Sequence, residues 1–454
     1  MDHSELSLQK TPQPYDFVVH TFGCKVNTYD TGLIQKNLKQ NGYINGNDKK
    51  SQNSIHILNT CAVTAEATQQ AVRMIRKIKA KQPLATVIVT GCAAQVDTGA
   101  FENLPGADLV VANSHKGLLP QLMDQFFKGT LKQKTFKSNI FKKEDLEANG
   151  GEEIHHTRSF LKIQDGCNSF CSFCIIPYAR GKSRSIQIAD LVTKIKHLEN
   201  QNVKEVVLTG VHIGDYVDDS FLKPRMIEDL VEQLLLQTKM PRFRLSSLEP
   251  IELSDRLVDL YKDDRLCPHF HMSIQSADTE VLKEMKRKYG EVEVRNSLLK
   301  IATQVPGSFV GMDVIAGFPT ETDLQFENTY KVLSETPWTR LHVFPYSERQ
   351  GTRAAQLPQV MQMKRKERAL RLRELSLHRF QSEALKQIGK VKNALILNKP
   401  GTVTQAISRD YWNLQLGLEL SAIEKLKNSE RFVKITGVEM NDQDVVLKAS
   451  LINA

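Results

Sequence analysis

Three cysteines stand close together in Cys167-Asn168-Ser169-Phe170-Cys171-Ser172-Phe173-Cys174. Thiolates this near one another can clasp a single metal centre, but the C-x3-C-x2-C spacing differs from the paired C-x2-C knuckles of structural zinc sites. No fourth ligand follows at a comparable interval. The next cysteine, Cys267, has no Cys or His partner in a finger-like arrangement. A cuboidal iron–sulfur cluster on three thiolates leaves one iron without a protein ligand, and an external molecule can coordinate there. The trio therefore reads as a chemical site rather than a structural one.

A second trio is spread over the first hundred residues. Tyr15 to His20, Ser54 to Asn59 and Ala85 to Thr90 are short apolar runs that read as strands. They lead into Gly23-Cys24, Thr60-Cys61 and Gly91-Cys92. Helical patterns lie between them. Thr64 can cap a helix that puts Ala67, Ala71, Met74, Ile75 and Ile78 on one face and Arg73, Arg76, Lys77 and Lys79 outward. Alternating strand and helix implies a parallel, doubly wound sheet, whose ligands bind beyond the carboxyl ends of the strands. Cys24, Cys61 and Cys92 all fall there and would converge into a second three-thiolate site. A lone buried Cys is ordinarily a small hydrophobe, but repetition of one placement three times argues against that reading here.

The elements that must position the first trio begin at Ser159. Strands are expected at Phe160 to Gln164, Val203 to Thr209, Phe243 to Ser246, His269 to Gln275, Phe309 to Ile315 and Arg340 to Phe344, with helices between them. Such βα units suggest a full or partial barrel with function at the strand ends, and the Cys167 loop follows the first strand. Other strand ends carry Gly210, Glu249, Gln275 and Asp313. His212 invites assignment as a base or ligand, His269 and His271 read as barrel lining, and Cys267 reads as structural. Lys128 through Gly151 is Lys-rich without periodicity and reads as a flexible connector. Met363 to Ala384 reads as a basic connecting helix, with Met363, Leu370, Leu377 and Ala384 at seven-residue intervals. Beyond Lys390, short β-rich runs suggest a small barrel of a shape often used to bind RNA, in which Tyr411 and Trp412 either stack on bases or fill the core.

The chain has 454 residues and a net charge of +9, which favours a polyanionic partner. No run approaches the roughly 20 apolar residues of a membrane span, and the start lacks a signal-peptide pattern, so a cytoplasmic location without membrane contact is expected. Seven cysteines, an odd number, argue for reduced thiols rather than a disulfide framework.

The flanks of the first trio, Gln164-Asp165-Gly166 and Ile175-Ile176-Pro177-Tyr178-Ala179-Arg180-Gly181, resemble those of the radical S-adenosylmethionine (SAM) methylthiotransferases. The resemblance covers nearly the whole chain. It implies a flavodoxin-like N-terminal domain over 13–130, a linker over 131–155, a radical SAM domain over 156–384 and an RNA-binding TRAM barrel over 385–454. It implies two [4Fe-4S] clusters, one on Cys24, Cys61 and Cys92 and one on Cys167, Cys171 and Cys174, with SAM at the second. Gly210, Glu249, Gln275 and Asp313 would face SAM, and Tyr411 and Trp412 would face RNA. Gly23-Cys24-Lys25-Val26-Asn27 resembles the branch acting on threonylcarbamoyladenosine in tRNA, with isopentenyladenosine as the alternative substrate. A reductant such as flavodoxin or ferredoxin and a sulfur donor are implied partners. Two readings of other classes are an RNA-binding protein without iron and an iron–sulfur electron carrier without SAM.

Overall fold

The computed structural model of the chain describes residues 16–46, 54–144, 146, 157–397, 405–441 and 444–452. The first sheet contains β1 (Asp16–Thr21), β2 (Ile44–Asn45), β3 (Ile55–Thr60), β4 (Thr86–Gly91), β5 (Leu109–Ala112) and β6 (Thr135–Phe136). All neighbours are parallel, in the order β2-β1-β3-β4-β5-β6. Every residue of β3 is buried, as expected for a central parallel strand covered on both faces. Helix α1 (Lys25–Gln40) follows β1, α2 (Ala65–Lys81) follows β3, and α3 (Cys92–Val96) follows β4. The Thr64 hydroxyl caps α2 by accepting from the Ala67 N–H at 3.2 Å, and Ala71, Val72, Ile75 and Ile78 bury its inner face.

The connector reading fails for part of its stretch. Thr135 and Phe136 pair with Val110 and Val111 as the last strand of the first sheet, and Ile140 is buried. The remainder, at 145 and 147–156, lies outside the described residues. The lysines hide this edge strand in the sequence, because a two-residue strand has no periodicity to read.

The central domain starts with β7 (Arg158–Lys162), then β8 (Gln164–Asp165), which pairs antiparallel with β9 (Arg184–Ser185). It continues through β10 (Glu205–Thr209), β11 (Phe243–Leu245), β12 (Ser247–Leu248), β13 (His269–Gln275), β14 (Phe309–Ala316) and β15 (Arg340–Pro345). These make two parallel sheets, β11-β10-β7 and β12-β13-β14-β15. Ser246 is the joint between them, so the strand expected over Phe243 to Ser246 ends one residue early and a second short strand follows it. The result is an incomplete barrel around one continuous apolar core.

The helix Gln362–Leu385 packs along β15. Its Ser376 hydroxyl accepts from the Leu341 N–H at 2.9 Å. The seven-residue stripe of the sequence reading is not its buried face. Met363 and Leu370 are exposed, whereas Ala369, Leu372, Ser376, Phe380 and Ala384 are buried. These recur at three- and four-residue steps, as contact with one flank requires.

The C-terminal barrel closes in the order β16-β17-β18-β20-β19, from β16 (Val391–Ile396), β17 (Ala406–Ser408), β18 (Asn413–Leu416), β19 (Glu430–Met440) and β20 (Val445–Leu451). Charge fastens it to the central domain. Glu205 is fully buried and meets Arg158 at 2.6 Å, Arg242 at 2.9 Å and Arg244 at 2.9 Å. Burial alone would raise the Glu205 pKa, but the three guanidinium groups hold it well below the usual carboxylate range. Arg242 and Arg244 donate on to the Ser408 and Arg409 carbonyls of the barrel at 3.1 Å and 3.0 Å. Separating the domains would remove the barrel carbonyls from Arg242 and Arg244 and break the 3.0 Å Arg242–Glu430 pair, and hydrogen bonds to charged groups contribute about 1.5–3 kcal/mol each, so the barrel is fixed rather than tethered. Among the described residues no helix is long and apolar enough to cross a membrane.

Candidate metal centres and the cavity they share

Cys24, Cys61 and Cys92 lie at the carboxyl ends of β1, β3 and β4, at the mouth of the sheet. Two glycines allow the approach. Gly23 has φ +91, and a Cβ there would sit 2.5 Å from the Cys61 Sγ. Gly91 has φ +97, and a Cβ would sit 2.4 Å from the Thr60 backbone nitrogen. Only glycine accepts both the left-handed backbone and the contact. Cys61 and Cys92 are buried and Cys24 is exposed. Burial, reinforced by Cys92 and Cys24, pushes the Cys61 thiol up to about 12.

Cys167, Cys171 and Cys174 occupy one loop clamped at its base by the β8–β9 pair. The Cys167 N–H donates to the Gly181 carbonyl at 3.1 Å and the Cys174 N–H to the Cys171 carbonyl at 3.0 Å. Phe170, between two of the thiols, has φ +45, a conformation that costs an L-residue about 1–3 kcal/mol and is found where function requires it. Burial raises Cys171, and burial together with Cys171 and Cys167 raises Cys174 to about 12.

Sequence reasoning left His212 open and missed Arg287. The structure places both beside this loop. The His212 Nδ1 is 3.9 Å from the Cys167 Sγ and 3.2 Å from the Asp215 carboxylate, and its Nε2 meets Glu252 at 2.5 Å. Burial opposes the charged imidazole, but its hydrogen bonds to Asp215, Cys167 and Glu252 hold its pKa far above the usual value. Arg287 is buried, pairs with Glu249, and is close enough to Cys171 and Cys174 to favour their thiolates. Its position follows a Lys286 with φ +60, a turn that local propensity does not announce.

A charged seam joins the two sites. Arg180, six residues after Cys174, donates to the Asn27 side-chain oxygen at 2.6 Å and meets Asp30 at 3.1 Å and Asp165 at 2.8 Å. Asp30 also meets Lys162 at 2.7 Å and Lys116 at 3.0 Å. All five charged groups are almost fully buried, apart from a partly covered Lys116. Burial acts to raise the Asp30 pKa, and Lys116, Lys162 and Arg180 together drive it well below the usual value. Asn27 in turn donates to the carbonyls of Phe22 and Thr60, and Asn113 donates to the Ala179 carbonyl. The loops bearing the two trios are thus bolted to one another.

Beside the first trio lies a cavity of about 650 Å³, within the range of small-ligand sites. Cys24, Cys61 and Cys92 line one wall, and Gly210, His271 and Asp313 line the barrel side. Ile176 and Thr209 to Val211 carry its lining up to the elements flanking the Cys167 loop. The remaining wall comes from the C-terminal barrel. There Tyr411 lies over His269 with ring centroids 3.9 Å apart, and Trp412 is buried flat against Phe380 at 5.2 Å. Neither ring stands on an exposed barrel face. Gln275 has φ +62, and Glu249 stands with Arg287 and His212 beside the Cys167 loop; neither is among the residues lining this cavity. Asp313 bonds His271 at 2.9 Å. Cys267 is buried away from both trios with its N–H on the Phe243 carbonyl, as a structural residue would be.

The donor sets fit iron–sulfur clusters. Each site offers three soft ligands, and each trio has a buried cation beside it, Arg180 at the first and Arg287 at the second, which suits the negative charge of a thiolate-bound cluster. The Arg287 Nε, the Ser246 hydroxyl and the His269 Nδ1 are buried without a hydrogen-bond partner, and Ser246 and His269 are among the residues lining the cavity.

Comparisons with known proteins agree with this geometry. Residues 16–112 match the family described as Uncharacterized protein family UPF0004, and residues 161–333 match the Radical SAM superfamily. The chain is 40% identical over 380 residues to the threonylcarbamoyladenosine tRNA methylthiotransferase MtaB of Rickettsia prowazekii, covering 83% of this chain and 87% of that one. It is 35% identical to the enzyme of the same description from Aquifex aeolicus, covering 85% and 93%. It is 31% identical to the tRNA-2-methylthio-N(6)-dimethylallyladenosine synthase of Desulfotalea psychrophila, covering 75% and 78%. Among solved structures, the radical S-adenosylmethionine methyltransferase TsrM from Kitasatospora setae superposes with a TM-score of 0.54 at 13% identity over 75% of each chain, a likeness of fold.

Proposed function

We infer that this chain, which belongs to the radical SAM methylthiotransferase family, places a methylthio group on C2 of N6-threonylcarbamoyladenosine at position 37 of tRNA. The observation that carries this reading is a cavity lined by Cys24, Cys61 and Cys92, walled by the C-terminal barrel and extending to Ile176 and Thr209 to Val211 beside the Cys167 loop. The Rickettsia prowazekii and Aquifex aeolicus relatives described by that substrate match at 40% and 35% identity, against 31% for the Desulfotalea psychrophila relative described by dimethylallyladenosine.

In this reading Cys24, Cys61 and Cys92 hold one [4Fe-4S] cluster, and Cys167, Cys171 and Cys174 hold the other, with SAM beside the second. When bound, these groups supply one-electron reductive cleavage of SAM and the sulfur that is transferred. The polypeptide supplies position and environment. Gly210 lets the backbone come close to SAM, and Glu249, Gln275 and Asp313 complete its contacts, Asp313 being oriented by His271. Arg287 offsets charge at the second trio, and Arg180 offsets it at the first. The charged seam through Asp30 fixes the distance between the trios, so that the adenine meets both without diffusing between sites. The walls of the cavity exclude water from the reacting carbon. The positive net charge suits tRNA as the polyanionic partner. A flavodoxin or ferredoxin would bring electrons and a separate donor would renew the sulfur, both in the cytoplasm with the tRNA.

The test is mass spectrometry of tRNA nucleosides from a strain lacking the gene. Threonylcarbamoyladenosine should accumulate without its methylthio form, and a plasmid copy should restore that form. Persistence of the methylthio form, or loss of methylthio-isopentenyladenosine in its place, would overturn the substrate assignment.

A further inference from the structure

The charges around the cavity do not balance. Its lining carries Lys25, Arg180 and Arg340 with three imidazoles, His269, His271 and His342, against one carboxylate, Asp313, and the three cysteines of the first trio, whose charge a [4Fe-4S] core would largely offset. Most of these groups are committed. Arg180 belongs to the buried seam with Asp30 and Asp165. Arg340 meets Asp444 at 2.9 Å and lies over the Phe380 ring. Asp313 is taken by His271.

Lys25 is different. It is the first residue of α1, directly after Cys24, and is only partly buried. Among the described residues no carboxylate pairs with it, and its position at the start of a 16-residue helix adds the positive end of the helix dipole to its own charge. It is close enough to His269, His342 and Tyr411 to disfavour protons on all three. Two of these residues come from barrel strands and one from the C-terminal barrel, and all three line the cavity together with Lys25. A cation with no carboxylate partner in the wall of a ligand-sized cavity marks a site for an anionic group.

We propose that Lys25 is a specificity-determining residue that binds the carboxylate at the end of the adenosine's N6 substituent. The inference rests on the substrate reading above, in which that substituent is a threonylcarbamoyl group ending in a carboxylate. An apolar N6 substituent would cover Lys25 without giving it a counter-charge, and a site that pairs a charged group with its ligand disfavours a ligand that displaces water from that group and leaves it unpaired. Selection therefore resides in the same loop that carries the first cysteine, and the acid end of the substrate is anchored next to the position where sulfur is delivered.

The experiment uses the reconstituted holoenzyme under anaerobic conditions with two anticodon stem-loops. One carries threonylcarbamoyladenosine, and the other carries the same nucleoside with its carboxylate converted to the primary amide. Methylthiolation kinetics and stem-loop affinity by fluorescence anisotropy are measured for the unaltered chain, Lys25→Gln and Lys25→Arg. The unaltered chain should prefer the carboxylate by roughly 10- to 100-fold in kcat/KM, the range expected for a hydrogen bond to a charged group, with a parallel preference in affinity. Lys25→Gln should bring both ratios close to one, and Lys25→Arg should retain most of the preference. A ratio within one protein does not depend on the fraction correctly folded. If Lys25→Gln keeps the full preference, the role of Lys25 is refuted while the substrate reading stands. If the unaltered chain modifies neither stem-loop, the substrate reading falls and takes this inference with it.

Discussion

The two cysteine trios reach the same chemistry by opposite routes. Cys167, Cys171 and Cys174 are neighbours in one loop, clamped by β8 and β9. Cys24, Cys61 and Cys92 meet only because β1, β3 and β4 lie side by side and two glycines let their ends touch. A local site needs its own loop and little else. A distributed site needs a correctly ordered sheet, so its integrity reports on the whole N-terminal domain. The chain also needs the two held at one separation, a task given to the seam of Asp30, Lys162, Asp165 and Arg180.

The sharpest break is at the local site. Cys171→Ala should abolish 5′-deoxyadenosine formation from SAM, while iron bound at the distributed site and affinity for tRNA persist. Cleavage assays, iron analysis and a tRNA-binding titration check this together.

The seam comes next. Asp30→Asn leaves Lys116, Lys162 and Arg180 facing a neutral group, and removal of one partner from a buried charge network costs about 3–5 kcal/mol. Urea denaturation should show that loss near neutral pH. The pH dependence follows from the depressed pKa of Asp30 and Asp165 in the folded protein. The folded state holds fewer protons than the unfolded one as the medium is acidified, so the stability these carboxylates contribute is present above their unfolded pKa and is lost as pH falls through the folded values. Unfolding midpoints should therefore drop from pH 5 towards pH 3 more steeply in the unaltered chain than in Asp30→Asn.

The smallest effect of the series is confined to the distributed site. Gly23→Ala puts a Cβ at a left-handed residue and against the Cys61 sulfur, a strain of about 1–3 kcal/mol. Iron should be lost from the N-terminal site alone, SAM cleavage should continue, and the methylthio product should fall. Equal loss of iron from both sites would mean that the trios are not independent in the way the comparison requires.

What the sequence revealed follows the same division. Spacing alone exposed the Cys167 loop, since its geometry is written in consecutive residues. The distributed trio was legible through a repeated pattern, an apolar run ending at a cysteine, and the strands occur within a residue of the positions read. The residues that join and tune the sites were not legible. Arg180 was noted as part of a flank, but its bonds to Asn27 and Asp30 span about 150 residues and leave no local trace. Arg287 and His212 act on the second trio through folds of the chain that no periodicity reports. The long helix misled because its apolar seven-residue stripe coexists with the three- and four-residue face that tertiary packing selected. The sequence leaves Tyr411 and Trp412 open between base stacking and core, because the packing of the barrel on the central domain, which sets both rings against His269 and Phe380, has no local trace.

The central claim, that one cavity lets two separate trios act on a single adenosine, is tested most directly by Cys61→Ala, assayed with SAM, reductant and threonylcarbamoyladenosine-containing tRNA while both products are measured in the same reaction. The account predicts continued release of 5′-deoxyadenosine and no methylthio-threonylcarbamoyladenosine. Undiminished methylthiolation by this variant would contradict it.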